Sequence, residues 1–308
     1  MLGASRGIPL PSIEKCWSIG IYEGNDPLAL RPSAGLDNPV LTAAHITDVA
    51  AFFVADPFML RDGTDWHMFF EVYRRDIRRG EIGMASSTDG RRWTYRQIVL
   101  REPFHLSFPF VFAWGGAQYM IPETRGQQQV RLYRATAYPT TWTFERTLLT
   151  GAGFTDSSIV YFQRIWWLFT SFPGDSTLAV FHADRPDGVW TPHARNPLLL
   201  NARDRSRSAG RIIVSGDRLF RLAQDNSGSY GMRVNAFEIT ALTPTAYEER
   251  PAGPTPLLHG TRHGWNARGM HHMDAHEVTP GQWLACVDGF RKSLMVGYRR
   301  WPETSTER

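Results

Sequence analysis

The chain has 308 residues, 42% of them hydrophobic and 21% charged, and a net charge of +4. This is globular composition rather than that of a disordered chain, and no run approaches the ~18 apolar residues of a membrane-spanning helix. Two cysteines, Cys16 and Cys286, are too few for a disulfide-stapled secreted scaffold or a thiolate zinc site.

The opening stretch MLGASRGIPLPSIEKCW lacks the apolar core of a signal peptide, so a cytoplasmic location is expected. CWSIGIYEG (16–24) then reads as a strand, and 25–50 as a loop. From there a divergent unit recurs: VADPFMLRDGTDWHMFFEV (54–72), LSFPFVFAWGGAQYMIPET (106–124), FTDSSIVYFQRIWWLFTSF (154–172), SAGRIIVSGDRLFRLAQDN (208–226) and HHMDAHEVTPGQWLACVDGF (271–290). Each is an apolar strand, a turn and a second strand. In three units two further strands follow around a tryptophan, Trp93, Trp142 or Trp190, with Tyr247 in the corresponding place of the fourth. Four antiparallel strands in roughly 50 residues make a propeller blade. The expected fold is therefore all-β, one five-bladed β-propeller over 1–308, with blades near 51–101, 104–150, 153–200, 207–250 and 268–300. The last holds three C-terminal strands, MDAHEV, WLACVDG and SLMVGYR, and the 16–24 strand is expected to complete it from outside. That closure removes exposed edges.

The first strand of a propeller blade is innermost, so its start and the end of its neighbour share one rim of the central channel. Those positions are Asp56, Phe108, Asp156, Ala209 and Met273, and Glu71, Glu123, Ser171, Gln224 and Asp288. Acids are depleted in strand interiors and need partners when buried. Their convergence suits glycosidic bond cleavage, which needs one carboxyl as acid and another as base or nucleophile. Crowding raises one carboxyl above another in pKa. Turn capping by Asp-Pro and Asp-Ser explains a single acid as well, but not the set.

GWNARGMHHMDAH (264–276) adds Asn266, Arg268, His271, His272, Asp274 and His276. The H-x-D-x-H spacing puts His272, Asp274 and His276 on one strand face, where a structural or channel-bound metal ion could sit, though none is required. Arg211, Gln224 and Asp225 are candidate sugar contacts in blade four, and Phe108 and Trp265 are candidate stacking rings. The basic runs Arg74–Arg79 and Arg203–Arg207 carry no interleaved aromatics and read as solvated loop charge, so no nucleic-acid partner is expected. An anionic sugar or lipid headgroup is a further use for such charge.

VADPF, WHMFFE, MIPE, TDSSI and the late HH-x-D resemble the five-bladed propellers related to glycoside hydrolase family 43. FVADPF, GEIGMASSTDG, REPFHLSFPFVF, YMIPE, VRLYRAT and GWNARGMHH more closely resemble the N-terminal domain of the glucosamine inositolphosphorylceramide transferases and its free-standing bacterial relatives. The likeness runs from about Trp17 to Asp288. Family 43 implies Asp56 as general base and Asp156 as the residue that tunes and orients the acid. The acid itself would be a Glu at the start of blade four, where this chain has SAGRII. Glu123, then Glu71, then His271 or His272 are the substitutes. Two readings follow: an inverting glycoside hydrolase with carbohydrate as its ligand, and a non-catalytic glycan-binding module serving a partner transferase.

Overall fold

The computed structural model describes residues 9–172 and 176–298. It is an all-β propeller of five sheets. Blade one comprises Ala51–Asp62, Asp65–Arg74, Arg79–Ser87 and Thr94–Leu100, and blade two Ser107–Trp114, Ala117–Glu123, Gln129–Ala137 and Thr141–Thr150. Blade three ends in a two-residue outer strand: Thr155–Phe162, Ile165–Ser171, Leu178–Ala183 and Thr191–Pro192. Among the described residues no helix is long and apolar enough to cross a membrane.

The repeat aromatics sit between blades. Trp93, Trp142, Trp190 and Tyr247 are all buried, and Trp93 and Trp142 donate their indole N–H to the carbonyls of Gly90 and Pro139 in the turn just before them. Trp93 and Trp142 thus pack a face and satisfy their polar atom locally. Phe58, Phe69, Phe110 and Leu168 fill the space between blades one, two and three with essentially no exposure. Each such side chain stabilises the fold by roughly 1.5–3 kcal/mol.

Blade five closes the ring. Met273–Thr279 is its inner strand, Gln282–Tyr298 the second, Pro9–Gly24 the third and Arg31–Pro32 the outermost. The N-terminal strand completes this blade, but from the third position. WLACVDG and SLMVGYR, expected as two strands, are one. Gly289, the last residue of the first expected strand, stays paired with Ser18. A Cβ there would lie 2.4 Å from the Asn266 side chain, so glycine is needed for a close approach, not a turn. The expected loop over 25–50 holds that outer strand and a single 3-10 turn at Ala43–His45.

Blade four also differs. Its first regular strand is only Ile213–Ser215, followed by Arg218–Asp225, Arg233–Leu242 and Tyr247–Ala252. Gly210, at φ +136°, makes an isolated parallel bridge to Met273, and a Cβ there would collide with the Met273 carbonyl. Close backbone contact with blade five replaces regular strand structure over SAGRII.

Candidate functional site

Three of the innermost strands carry the same irregularity. The pairing slips between Ala55 and Phe58, between Ser107 and Phe110, and between Thr155 and Ser158. Within each bulge one residue is left-handed: Asp56 at φ +54°, Phe108 at +45° and Asp156 at +48°. Non-glycine residues avoid this region, and bulges there re-aim side chains. In blades one and three the device turns an aspartate into the channel mouth.

Around that mouth Asp56, Glu71, Glu123, Asp156 and Asp288 are all less than a tenth exposed. Two cations balance them. Arg207 Nε lies 2.5 Å from Asp156 Oδ2, and its Nη2 is 3.6 Å from Glu123 Oε2. Gln224 Nε2 donates to the same Asp156 oxygen at 2.7 Å. His271 Nδ1 lies 2.8 Å from Asp288, whose oxygens also accept the backbone N–H groups of His271 and Asp56 at 3.1 Å each. The His271 ring stacks on Trp17 at 4.0 Å; its Nε2 is 2.9 Å from the Tyr230 hydroxyl and 3.6 Å from Asp56 Oδ1. Asp56 Oδ2 accepts from Phe108 N–H at 3.3 Å.

These contacts divide the acids into two states. Burial favours the neutral form of all five. For Asp156 the Arg207 guanidinium outweighs burial and holds the carboxyl below its usual value. His271 does the same for Asp288. His271 in turn is raised, because Asp288, and further off Asp56 and Asp156, outweigh the cost of burying its charge. Glu71 has no cation to offset burial, and neighbouring Asp56 and Glu123 push it higher still, well above the usual range. Glu123 is pushed well up by burial and by the neighbouring Asp156 charge, Arg207 drawing it back only in part. Asp56 lies between: burial raises it, His271 draws it down, Asp288 and Asp156 raise it, and it comes to about 7. The site thus holds two acids lowered beside their cations, two raised well above the usual range, and Asp56 at about 7. Asp156 contacts Arg207, whose guanidinium lies over the Tyr230 ring; the Tyr230 hydroxyl reaches His271, which is 3.6 Å from Asp56, so the two aspartates share one end of the channel.

Asp274 is separate. Its oxygens take Arg211 Nε at 2.6 Å, the Met59 N–H at 2.6 Å and His276 Nε2 at 2.8 Å. Arg211 also donates to the carbonyls of Met59 and Val111 and lies over the rings of Phe58 and Phe110. This pair ties blades one, two, four and five together within the channel. The three residues of the H-x-D-x-H motif do not converge on one point. His272 turns its Nε2 to the Pro57 carbonyl at 2.9 Å, and burial lowers it to about 4. Among the described residues the group that could hold a metal ion is Asp56, His271 and Asp288, whose ligand atoms lie within 4.8 Å of one another.

The remaining candidates scatter. Phe108 is wholly buried, edge-on to Phe58 and His272, and only its N–H reaches the site. Asn266 is buried under blade five, bonded to Thr261, and Trp265 packs where Gly20 leaves room for it. Asp225 binds Ser227 in its own turn, and Arg268 is exposed. Four residues at the site are not evident from the sequence pattern: Arg207, Tyr230, Trp17 and His105. Arg207 belongs to a run that reads as solvated loop charge, yet it is 9% exposed. His105 accepts the Gly80 N–H on Nδ1 at 2.8 Å, and its Nε2 is 3.6 Å from Glu71 Oε1. A basic residue next to the inner strand of blade four was the available signal for Arg207. Tyr230 and His105 lie on irregular loops and gave none.

Comparison with known proteins bears on this arrangement. Residues 11–290 match the family model described as glucosamine inositolphosphorylceramide transferase 1, N-terminal. A curated relative of that name from Oryza sativa subsp. japonica is 37% identical over 306 residues, covering 92% of this chain and 41% of the relative. One from Arabidopsis thaliana is 34% identical over 303 residues, covering 90% and 39%. The chain thus spans about two fifths of the length of these relatives. Among solved structures, the catalytic domain of the Coprinopsis cinerea GH62 α-L-arabinofuranosidase superposes with a TM-score of 0.57 at 13% identity, covering 89% of this chain and 96% of that one. A thermostable family-43 glycoside hydrolase gives 0.54 at 13% identity, covering 73% and 81%. At such identities the likeness is one of fold.

Proposed function

The chain belongs to the glucosamine inositolphosphorylceramide transferase 1 N-terminal family, and on that footing we propose that its channel mouth cleaves a glycosidic bond by acid–base catalysis. Asp56 is the base. It is ionised above about pH 7, and it activates water against the anomeric carbon. Glu123 is the acid. Burial and the nearby Asp156 charge raise its carboxyl well above the usual range, which suits it to hold a proton and release it to the leaving oxygen. Arg207 and Gln224 keep Asp156 ionised for that task. Inversion at the anomeric carbon is expected, with a water between the two working carboxyls. The observation that supports the reading is Arg207 lying 2.5 Å from Asp156 and 3.6 Å from Glu123, with Asp56 joined to the same cluster through Tyr230 and His271.

One feature favours a second reading. Where the resemblance to family 43 implies a Glu near the start of blade four, Arg207 supplies a cation beside Asp156. A glycan-binding module serving a partner transferase needs no proton donor there. The two readings separate in one experiment. The protein is incubated with a panel of glycosides weighted toward glucosaminides and inositol-linked glycans, the groups in the relatives' name, and released sugar is followed by mass spectrometry. Release that disappears in Asp56→Asn and Glu123→Gln supports the hydrolase. Binding without release, equal in all three proteins, overturns it in favour of the binding module.

A further inference from the structure

The strands Pro9–Gly24 and Gln282–Tyr298 are far longer than any other neighbouring pair and stay in register, without a slip, from Gly24–Trp283 out to Pro9–Tyr298. Over 9–16 and 291–298 they pair only with each other among the described residues, so they leave blade five as a two-stranded ribbon about 25 Å long. Its root is held by the site: Trp17 stacks on His271, and Lys15 Nζ donates to the Tyr230 carbonyl at 2.6 Å. Two strands alone are marginal in water and gain from further strands.

The two outer edges of the ribbon differ. At the root, the Ile19 N–H donates outward to the Leu41 carbonyl, and the Phe290 N–H outward to the Gly269 carbonyl. Backbone groups alternate in direction along a strand. The outward ones beyond the root therefore belong to Lys15, Ile13, Pro11 and Pro9 on one edge, and to Lys292, Leu294, Val296 and Tyr298 on the other. Proline has no N–H, so Pro9 and Pro11 close the first edge to a further strand. The second edge has no proline over 291–298 and keeps its donors and acceptors. Ile13 and Leu294 oppose each other in the register and are 69% and 68% exposed, an apolar pair left in water beside the open edge.

A second copy of this chain fits that edge. Two copies of 291–298 laid antiparallel about a two-fold axis at Leu294 put Leu294 opposite Leu294 and Lys292 opposite Val296. Directly opposed residues share a face, so Ile13 and Leu294 of both copies form one apolar row across a four-stranded sheet. The two Lys292 residues then stand about 13 Å apart along the strand, beyond the screening length of about 8 Å at physiological salt. An axis at Lys292 would set lysine against lysine, which a sheet disfavours. It would also run Val296 against Asp288, whose N–H already donates to the His272 carbonyl. An axis at Val296 would part the two leucines.

We infer that the chain forms a two-fold dimer by joining the 291–298 edges of two copies, centred on Leu294. The inference is independent of the glycan-site reading. It is tested by sedimentation of the full chain over a concentration series, in which the native chain should pass from monomer to dimer. Leu294→Pro removes an outward N–H that the ribbon's own ladder does not use, and should weaken association by about tenfold or more, since the bond is lost twice across the axis. Leu294→Glu and Leu294→Lys should each weaken it by about tenfold or more, because each sets like charges face to face in place of two apolar side chains. Mixing Leu294→Glu with Leu294→Lys should restore a dimer containing one of each, which also shows that both variants fold. Val189→Lys, at a side chain 83% exposed elsewhere on the surface, should change nothing. In hydrogen exchange the amides of Lys292, Leu294 and Val296 should gain protection as concentration rises. A native chain that stays monomeric would overturn the inference. So would protection of those amides at every concentration, which would mean that another segment of the same chain fills the edge. A dimer that survives Leu294→Pro, or no recovery on mixing the two charged variants, would overturn it as well.

Discussion

Arg207→Met isolates the contact on which the charge pattern of the site depends. Arg207 and Asp156 are 9% and 2% exposed and meet through Nε at 2.5 Å and Nη2 at 3.3 Å. Removing one partner of a buried pair costs about 3–5 kcal/mol, because the other charge is left without compensation. With an unfolding entropy of about 2.1 cal/mol/K per residue, a chain of this length loses about 1.5 °C of Tm per kcal/mol, so the expected drop is about 5–8 °C. The loss also has a pH signature. In the native chain Asp156 lies below its unfolded pKa, so its stabilising contribution is present above about pH 4 and disappears as pH falls through its folded value. In the variant the same carboxyl prefers to be neutral, and its charging penalty grows as pH rises above about 4. The gap between the two proteins in scanning calorimetry should be widest near pH 7 and narrow toward pH 4. A constant gap, or one under about 1 kcal/mol at pH 7, would refute the assignment of Arg207 as the counter-ion.

Asp56 behaves with the opposite sign. Its folded pKa of about 7 is raised, so its contribution is present at acid pH and lost as pH rises through 7, where a buried carboxylate must form. Asp56→Asn should therefore gain stability relative to the native chain as pH rises from 4 to 8, by up to about 1.4 kcal/mol for each pH unit that separates the unfolded and folded pKa of Asp56. On a cleaved glycoside, kcat/KM of the native protein should rise about tenfold per pH unit up to near 7, as a base must be ionised to act. Glu123→Gln should lose about 10²–10⁴-fold on a glycoside with a poor leaving group and far less on one with a good leaving group, since only the former needs a proton. Arg211→Met strands Asp274 in the channel and should cost about 3–5 kcal/mol by denaturant unfolding, leaving the pH dependence of Asp56 unmoved.

The blade count and the acids at the mouth were legible because both are periodic. A repeat of strand, turn and aromatic fixes which positions face the axis, so Asp56, Glu71, Glu123, Asp156 and Asp288 could be placed together without coordinates. What was not legible is whatever breaks the period. WLACVDG and SLMVGYR read as two strands, yet they run on as one, with Asn266 packed against Gly289 where the first was expected to end. SAGRII reads as an inner strand, but Gly210 bridges to Met273 instead. Alternation places His272, Asp274 and His276 at one metal site, yet the positive charge of Arg211 claims Asp274 and a backbone carbonyl claims His272. Arg207 looks like one more exposed arginine in a basic loop. A residue type gives no sign of which neighbour from another blade will neutralise it, and that neighbour decides whether Asp156 is ionised.

Carbon-detected NMR titration of the side-chain carboxyls, assigned with Asp56→Asn, Glu71→Gln and Glu123→Gln, tests the division of acids most directly and needs no substrate. Asp56 should titrate near pH 7, Glu71 and Glu123 well above the usual glutamate range, and Asp156 and Asp288 below the usual aspartate range. Five carboxyls titrating together near pH 4, as solvated acids do, would contradict this division and remove the basis for an acid and a base at this mouth.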